Sequence, residues 1–188
     1  MRYLNYLMLI AILGTLQGCF PVVAAGVGTG ALMVSDRRTT GTYIEDEGIE
    51  DKAAHQISAK YKSTAHVNVT SFNRHVLITG EAPNEEAKTD IAQIAASVPN
   101  VKAISNELAV SGSTGITARS GDSIITGDVK LRFLNSKVFR ADHIKVITEN
   151  GTVFLMGLVY HKEAEAATEI ASTTSGVQRV VKVFEYLD

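Results

Sequence analysis

The reactive side chains of this chain come down to one thiol, five imidazoles and scattered carboxylates, and they do not converge. Cys19 is the only cysteine, so a disulfide framework and a multi-cysteine metal site are both excluded. His55, His66, His75, His143 and His161 fall at no spacing typical of zinc ligands. Serine, histidine and acidic residues form no recognised catalytic motif. Glu85-Glu86 and Glu163 with Glu165 read as charges favoured at helix N-termini by the macrodipole. Gly26, Gly28 and Gly30 lack the strand before and the helix after that a phosphate-cradling loop requires. What remains is surface chemistry. Between Ser123 and Lys145, Ile124, Leu131 and Val138 recur every seven residues. Lys130, Arg132, Lys137, Arg140 and Lys145 surround them, against Asp128 and Asp142. An apolar face fringed with cations is expected of a helix that lies on a membrane or docks to a partner. Ile125, Val129 and Phe133 recur every four residues and form a separate stripe, enough to seat the same helix on a sheet.

Composition sets the outer limits. A hydrophobic share of 45% and a formal charge of −2 suit a globular chain with no bulk attraction to nucleic acid. Arg2 is the only charge before an apolar run from Leu4 to Leu16, too short for a mature membrane span and of the length of a signal-peptide core. The run ends in Leu16-Gln17-Gly18-Cys19, which resembles the bacterial lipobox, although Gln17 is bulkier than the usual residue at its place. That resemblance implies a signal peptide over residues 1–18 and acylation of Cys19, by a diacylglycerol on its thiol and a further chain on its freed amine. At roughly 0.8 kcal/mol per buried methylene, about three such chains hold a protein at a bilayer almost permanently. Phe20 stands where lipoproteins kept at the inner membrane usually carry aspartate, so the expected address is the inner leaflet of the outer membrane, facing the periplasm. No cofactor is expected beyond the covalent lipid. Residues 19–45, with a stretch rich in glycine, alanine and threonine and no sustained period, read as a flexible tether. Arg37-Arg38 within it is expected to be solvated, with contact to lipid phosphate as the alternative.

From Asp46 the chain repeats itself. Val69, Val76, Leu77, Ile78 and Gly80 return 77 residues later as Val146, Val153, Phe154, Leu155 and Gly157. Ile49, Ala53 and Ile57 return at an offset of 76 as Ile125, Val129 and Phe133. Ile94, Val101, Ile104 and Leu108 do the same as Ile170, Val177, Val180 and Phe184. Repetition on this scale predicts two similar domains, 46–111 and 122–188, joined by a linker over 112–121. Each reads helix, strand, strand, helix, strand, and the hairpin strands are expected to alternate apolar and polar. Asn150-Gly151 predicts a type I′ turn in the second copy, whereas Asn73-Arg74 predicts a looser or longer turn in the first. Ala87, Ile91, Ile94, Ala95 and Val98 make a 3.6-residue stripe. Its counterpart, Ala164, Ala167, Ile170, Ala171 and Thr174, is mostly small. Pro99-Asn100 and Ser175-Gly176 stop these helices. Two helices on one face of a small mixed sheet make each unit an α+β sandwich.

The succession of apolar residue, glycine, acid-rich helix, Gly-Val or Asn-Val pair and closing strand resembles the BON domain. Gly157, Glu163, Ala164, Gly176, Val177 and Val180 carry the likeness in the second copy, and Gly80, Glu86, Ala87, Val101 and Ile104 in the first. Two such units behind a lipobox and a short leash resemble the dual-BON outer-membrane lipoproteins, over nearly the whole mature chain. The resemblance implies a non-enzymatic protein that binds anionic phospholipid, phosphatidylglycerol and cardiolipin among them, through the first helix of the second unit. It also implies support of outer-membrane integrity and association with division sites. The residues this assigns to lipid are Ile124, Lys130, Leu131, Lys137, Val138, Phe139 and Arg140. The family carries tryptophan where this chain has Ile124, which leaves Phe139 to offer an aromatic contact.

The repeat supplies its own control. Gly48, His55 and Lys62 stand in the first copy where the second has Ile124, Leu131 and Val138. The stretch Asp46 to Thr70 sums to −1, against +3 for Ser123 to Lys145. The scaffold therefore does not need the second apolar stripe. Three uses for it stay open: packing against the other unit or the linker, insertion into phospholipid, and docking of an envelope-assembly, cell-wall or division protein. The resemblance favours lipid.

Overall fold

Thr39 caps the first helix, its hydroxyl accepting from the Thr42 amide at 3.1 Å, and α1 runs Thr40–Tyr61. The computed structural model describes residues 36–110 and 116–188, with backbone only for 116–120. The expected signal peptide, Cys19, the tether up to residue 35 and linker residues 111–115 lie outside the described residues. After α1 come β1 (His66–Phe72), β2 (His75–Ala82), α2 (Glu85–Ala96), β3 (Ala103–Asn106) and β4 (Ala109–Val110). The second unit repeats this as α3 (Ile116–Leu134), β5 (Ile144–Glu149), β6 (Thr152–Val159), α4 (His161–Ser172) and β7 (Arg179–Tyr186), with a 3₁₀ turn at Ala141–His143. In each unit the middle strand is antiparallel to its hairpin mate and parallel to the closing strand. The closing strand is continuous in the second unit and split around buried Leu108 in the first. The α+β expectation holds in both.

Two helices start earlier in the chain than the sequence suggests. α1 begins inside the stretch read as tether, and α3 begins inside the stretch read as linker. Arg37 and Arg38 are not solvated either. Arg37 forms a two-pronged pair with Glu163, at 2.6 and 2.8 Å, and the Arg38 side chain, 8% exposed, packs against Asp36 and Asp46.

One stripe seats each first helix. Asp46, Ile49, Ala53 and Ile57 are buried on α1, and Asp122, Ile125, Val129 and Phe133 on α3. The apolar members join the middle strand and second helix in one core per unit, Val76, Ile78, Ala87 and Ile91 in the first and Val153, Leu155, Ala164 and Ala167 in the second. Glycine is forced on the middle strands. A Cβ at Gly80 would lie 2.1 Å from the His66 carbonyl oxygen, and one at Gly157 would lie 2.5 Å from that of His143.

The acidic member of each stripe does something the sequence reading missed. The Asp122 carboxylate accepts from the Asn150 and Gly151 amides, both at 2.8 Å, so the helix grips the hairpin turn from its second turn. Asp46 does the same for the Asn73 and Arg74 amides, at 2.8 and 2.7 Å, and takes the Ser71 hydroxyl as well. The first hairpin is therefore as tight as the second, not looser. Phe72 pairs with His75 across two residues, and Asn73 and Arg74 both sit at positive φ, 53° and 67°. Left-handed backbone at a non-glycine residue costs about 1–2 kcal/mol. Two amide bonds to a buried carboxylate offset it.

The alternation expected of the hairpin strands is followed at the start of β5, where Ile144 and Val146 are buried between half-buried neighbours. β1 does not follow it, with Ser71 and Phe72 both buried, nor do β2 and β6, which are buried on both faces from their second residue onward. Their second faces meet each other. Phe72 and Leu77 of the first unit form one apolar cluster with Phe154, Met156, Leu158 and Val183 of the second. Helices thus lie outside and sheets inside, and a middle strand covered on both sides reads as a continuous apolar run. Polar pairs rim the junction: Lys145 with Glu50 at 2.8 Å, Asn68 with Glu149 at 2.9 Å, and Asn73 with Glu185 at 2.7 Å.

Candidate functional site

With Ile125, Val129 and Phe133 committed to the core, the opposite side of α3 faces out. Ile124 is 66% exposed and Leu131 61%. Leu134, which the seven-residue spacing overlooks, is the most exposed at 70%. Its signal was present in the sequence: it lies three positions after Leu131, on an adjoining part of the same helical surface. The stripe is not buried against the first unit among the described residues.

The helix ends at Leu134, so Val138 is not on it. The chain turns there, with the Asn135 and Ser136 amides donating to the Arg132 and Phe133 carbonyls. The Ser136 hydroxyl oxygen then accepts from the Val138 amide at 3.2 Å. Val138, 44% exposed, extends the patch from this loop. Phe139 corrects the expectation of an aromatic surface contact. It is buried, with its ring edge-on to Phe133 at 5.0 Å between centroids. Sunk between Val138 and Arg140, it pins the loop while both neighbours are exposed.

The cations divide into two groups. Lys130 and Lys137 are exposed and carry no ion pair among the described residues. Arg140 is exposed and pairs with Asp142, at 2.9 and 3.1 Å, which raises its already high pKa through that hydrogen bond. Arg132 and Lys145 belong instead to the scaffold. Arg132 donates to the Ile170 carbonyl and to the Thr173 and Thr174 hydroxyls, closing the C-terminal end of α4. Lys145 is held by Glu50 of the first unit. The equivalent side of α1 exposes a single isoleucine, Ile44 at 65%, one turn before a half-exposed Gly48, then His55, with Lys62 at the helix cap.

Among the described residues no group of three or more histidine, cysteine, aspartate or glutamate side chains is placed to hold a metal ion. No described helix is long and apolar enough to cross a membrane. The site is a patch of exposed aliphatic side chains edged by lysine and arginine on one of two otherwise similar units.

The BON domain family matches residues 45–112 and 121–188, and the chain belongs to that family. Among curated proteins it is 41% identical over 175 residues to the outer membrane lipoprotein DolP of Haemophilus influenzae, an alignment covering 92% of this chain and 91% of that one. It is 38% identical to a 21 kDa hemolysin of Actinobacillus pleuropneumoniae, over 81% of this chain and 79% of the other. Osmotically-inducible protein Y of Escherichia coli is 26% identical over 80% of this chain and 77% of its own length. The protein is a dual-BON, DolP-like lipoprotein of the outer membrane.

Proposed function

We propose that the protein is a non-catalytic envelope component that binds anionic phospholipid through the outer side of α3 and the loop that follows. In this reading Cys19 carries the acyl anchor, the folded body faces the periplasm from the inner leaflet, and lipid contact supports outer-membrane integrity, with division sites among its places of action. One observation carries the reading: Ile124, Leu131, Leu134 and Val138 are exposed together on one unit, while the sibling unit builds the same scaffold without apolar side chains at the first, second and last of these places. Burying a leucine side chain is worth about 1.5–3 kcal/mol, and a cation at an anionic surface about 1 kcal/mol. The overall charge opposes approach to such a surface. At ionic strengths where charge is felt over about 8–10 Å, Lys130, Lys137 and Arg140 govern the final contact.

Vesicle sedimentation of residues 36–188 tests the reading. Binding is expected with phosphatidylglycerol or cardiolipin vesicles and not with phosphatidylcholine, and Leu131→Glu with Leu134→Glu should abolish it. If the parent protein ignores anionic vesicles at low salt while Leu131→Glu disrupts a protein contact, the face is a docking surface for an envelope protein and the lipid reading fails.

A further inference from the structure

Arg37 and Arg38 are adjacent in sequence and bound to different units. The Arg37 guanidinium grips Glu163 of α4 through both prongs, donates to the Leu158 carbonyl at 2.7 Å, and lies 5.1 Å from the centre of the Tyr160 ring. Its hydrogen bond holds the Glu163 carboxyl below the usual carboxylate range. Arg38 donates to Asp46 of α1 at 2.9 Å and sits over the Phe72 ring at 4.0 Å, with Asp36 closing its other side at 2.7 Å. Asp36–Arg38 is therefore a strap across both units at the point where the leash joins the fold. Its position relative to the exposed face is also defined. Arg38 and Asp142, the carboxylate that pairs with Arg140, line one surface cleft together with Asp46 and Lys145.

We propose that this strap makes the acylated leash depart from the second unit, beside the cationic end of its exposed face, so that anchor and face meet the same bilayer surface. The inference rests on the lipid reading above. Without Arg37 the chain would leave from the start of α1, which belongs to the unit that lacks the face. Cys19 precedes Asp36 by 17 residues, a reach of at most about 60 Å whatever its conformation, so the point of departure constrains how the body can lie. A tether that starts next to its second contact raises the effective concentration of that contact without adding any new one.

The test uses the full acylated chain in phosphatidylglycerol and phosphatidylethanolamine vesicles, with Asn135→Cys carrying a polarity-sensitive dye. With Cys19 acylated, that introduced thiol is the only free one. Arg37→Gln is expected to lower the bilayer-inserted dye signal at least about threefold. Exchange of the pair, Arg37→Glu with Glu163→Arg, should restore most of it. In the unacylated mature chain, Cys19→Ala, the Arg37→Gln change should leave vesicle binding unaltered, because the face itself is intact. Equal dye signals from Arg37→Gln and its parent in the acylated chain overturn the strap's role. So does a loss of binding in the unacylated chain, which would mean that Arg37 acts through stability. If Arg37→Gln does not fold, Glu163→Gln, which leaves Arg37 its bond to Leu158, makes the same comparison. A parent protein with no dye shift at all removes the lipid reading, and the strap's role with it.

Discussion

α1 and α3 seat the same stripe on equivalent sheets: an aspartate that grips the hairpin turn, then three apolar residues three, seven and eleven positions on. Their outer sides part company. α1 shows one isoleucine, Ile44, beside Gly48 and His55, with Lys62 at its cap, whereas α3 and its loop show Ile124, Leu131, Leu134 and Val138 among lysines. Both arrangements support the fold, so the apolar one is not a requirement of packing. The turns differ in the opposite sense. The second hairpin has Asn150-Gly151, whose residues suit the geometry, while the first holds Arg74 at positive φ and relies on Asp46 to do so. One unit has the better turn and the larger exposed apolar face. The other compensates for its turn with a carboxylate that also secures Arg38.

The largest expected effect lies at those carboxylates. Asp46→Ala leaves Arg38 with Asp36 alone and frees the Ser71 hydroxyl and both turn amides, and should cost about 3–5 kcal/mol in denaturant unfolding. Asp122→Ala, which releases two amides and no cation, should cost about 1–3 kcal/mol. Equal losses would erase the distinction between the turns.

On the outer faces, Leu131→Glu should reduce partitioning into phosphatidylglycerol vesicles about tenfold or more, the equivalent of losing at least about 1.5 kcal/mol of aliphatic burial. Its unfolding free energy should move by less than about 0.5 kcal/mol. His55→Glu, at the matching place in the first unit, should change neither, and comparable losses of lipid binding from both would dissolve the asymmetry.

Lys130→Ala should weaken the same partitioning by roughly fivefold, about 1 kcal/mol, and flatten its dependence on salt. An unchanged salt slope would confine the contact to the aliphatic residues.

The smallest effect concerns pH. Because Arg37 holds the Glu163 pKa down, that group's contribution is present above the ordinary glutamate pKa and is lost as pH falls through the depressed value. The thermal midpoint of the parent should therefore drop more than that of Glu163→Gln between about pH 5 and pH 3. Parallel curves would mean that the strap adds nothing to stability.

The helices and hairpins were legible in the sequence because they depend on residues two to four apart, and the repeat because the same pattern returns 76 or 77 residues later. Ile125, Val129 and Phe133 could only face inward together, and Asn150-Gly151 could only turn tightly. The outward side of α3 was legible for a related reason, since Ile124 and Leu131 lie off that inward stripe. The tertiary structure decided what covers the second face of β2 and β6, that Phe139 tucks under Phe133, that Arg132 and Lys145 serve the scaffold, and that Arg37 and Arg38 tie the leash to both units. Those outcomes pair groups up to 126 positions apart. Spacing along a chain orients side chains about their own helix or strand, but it does not say which distant surface has the complementary shape and charge to meet them.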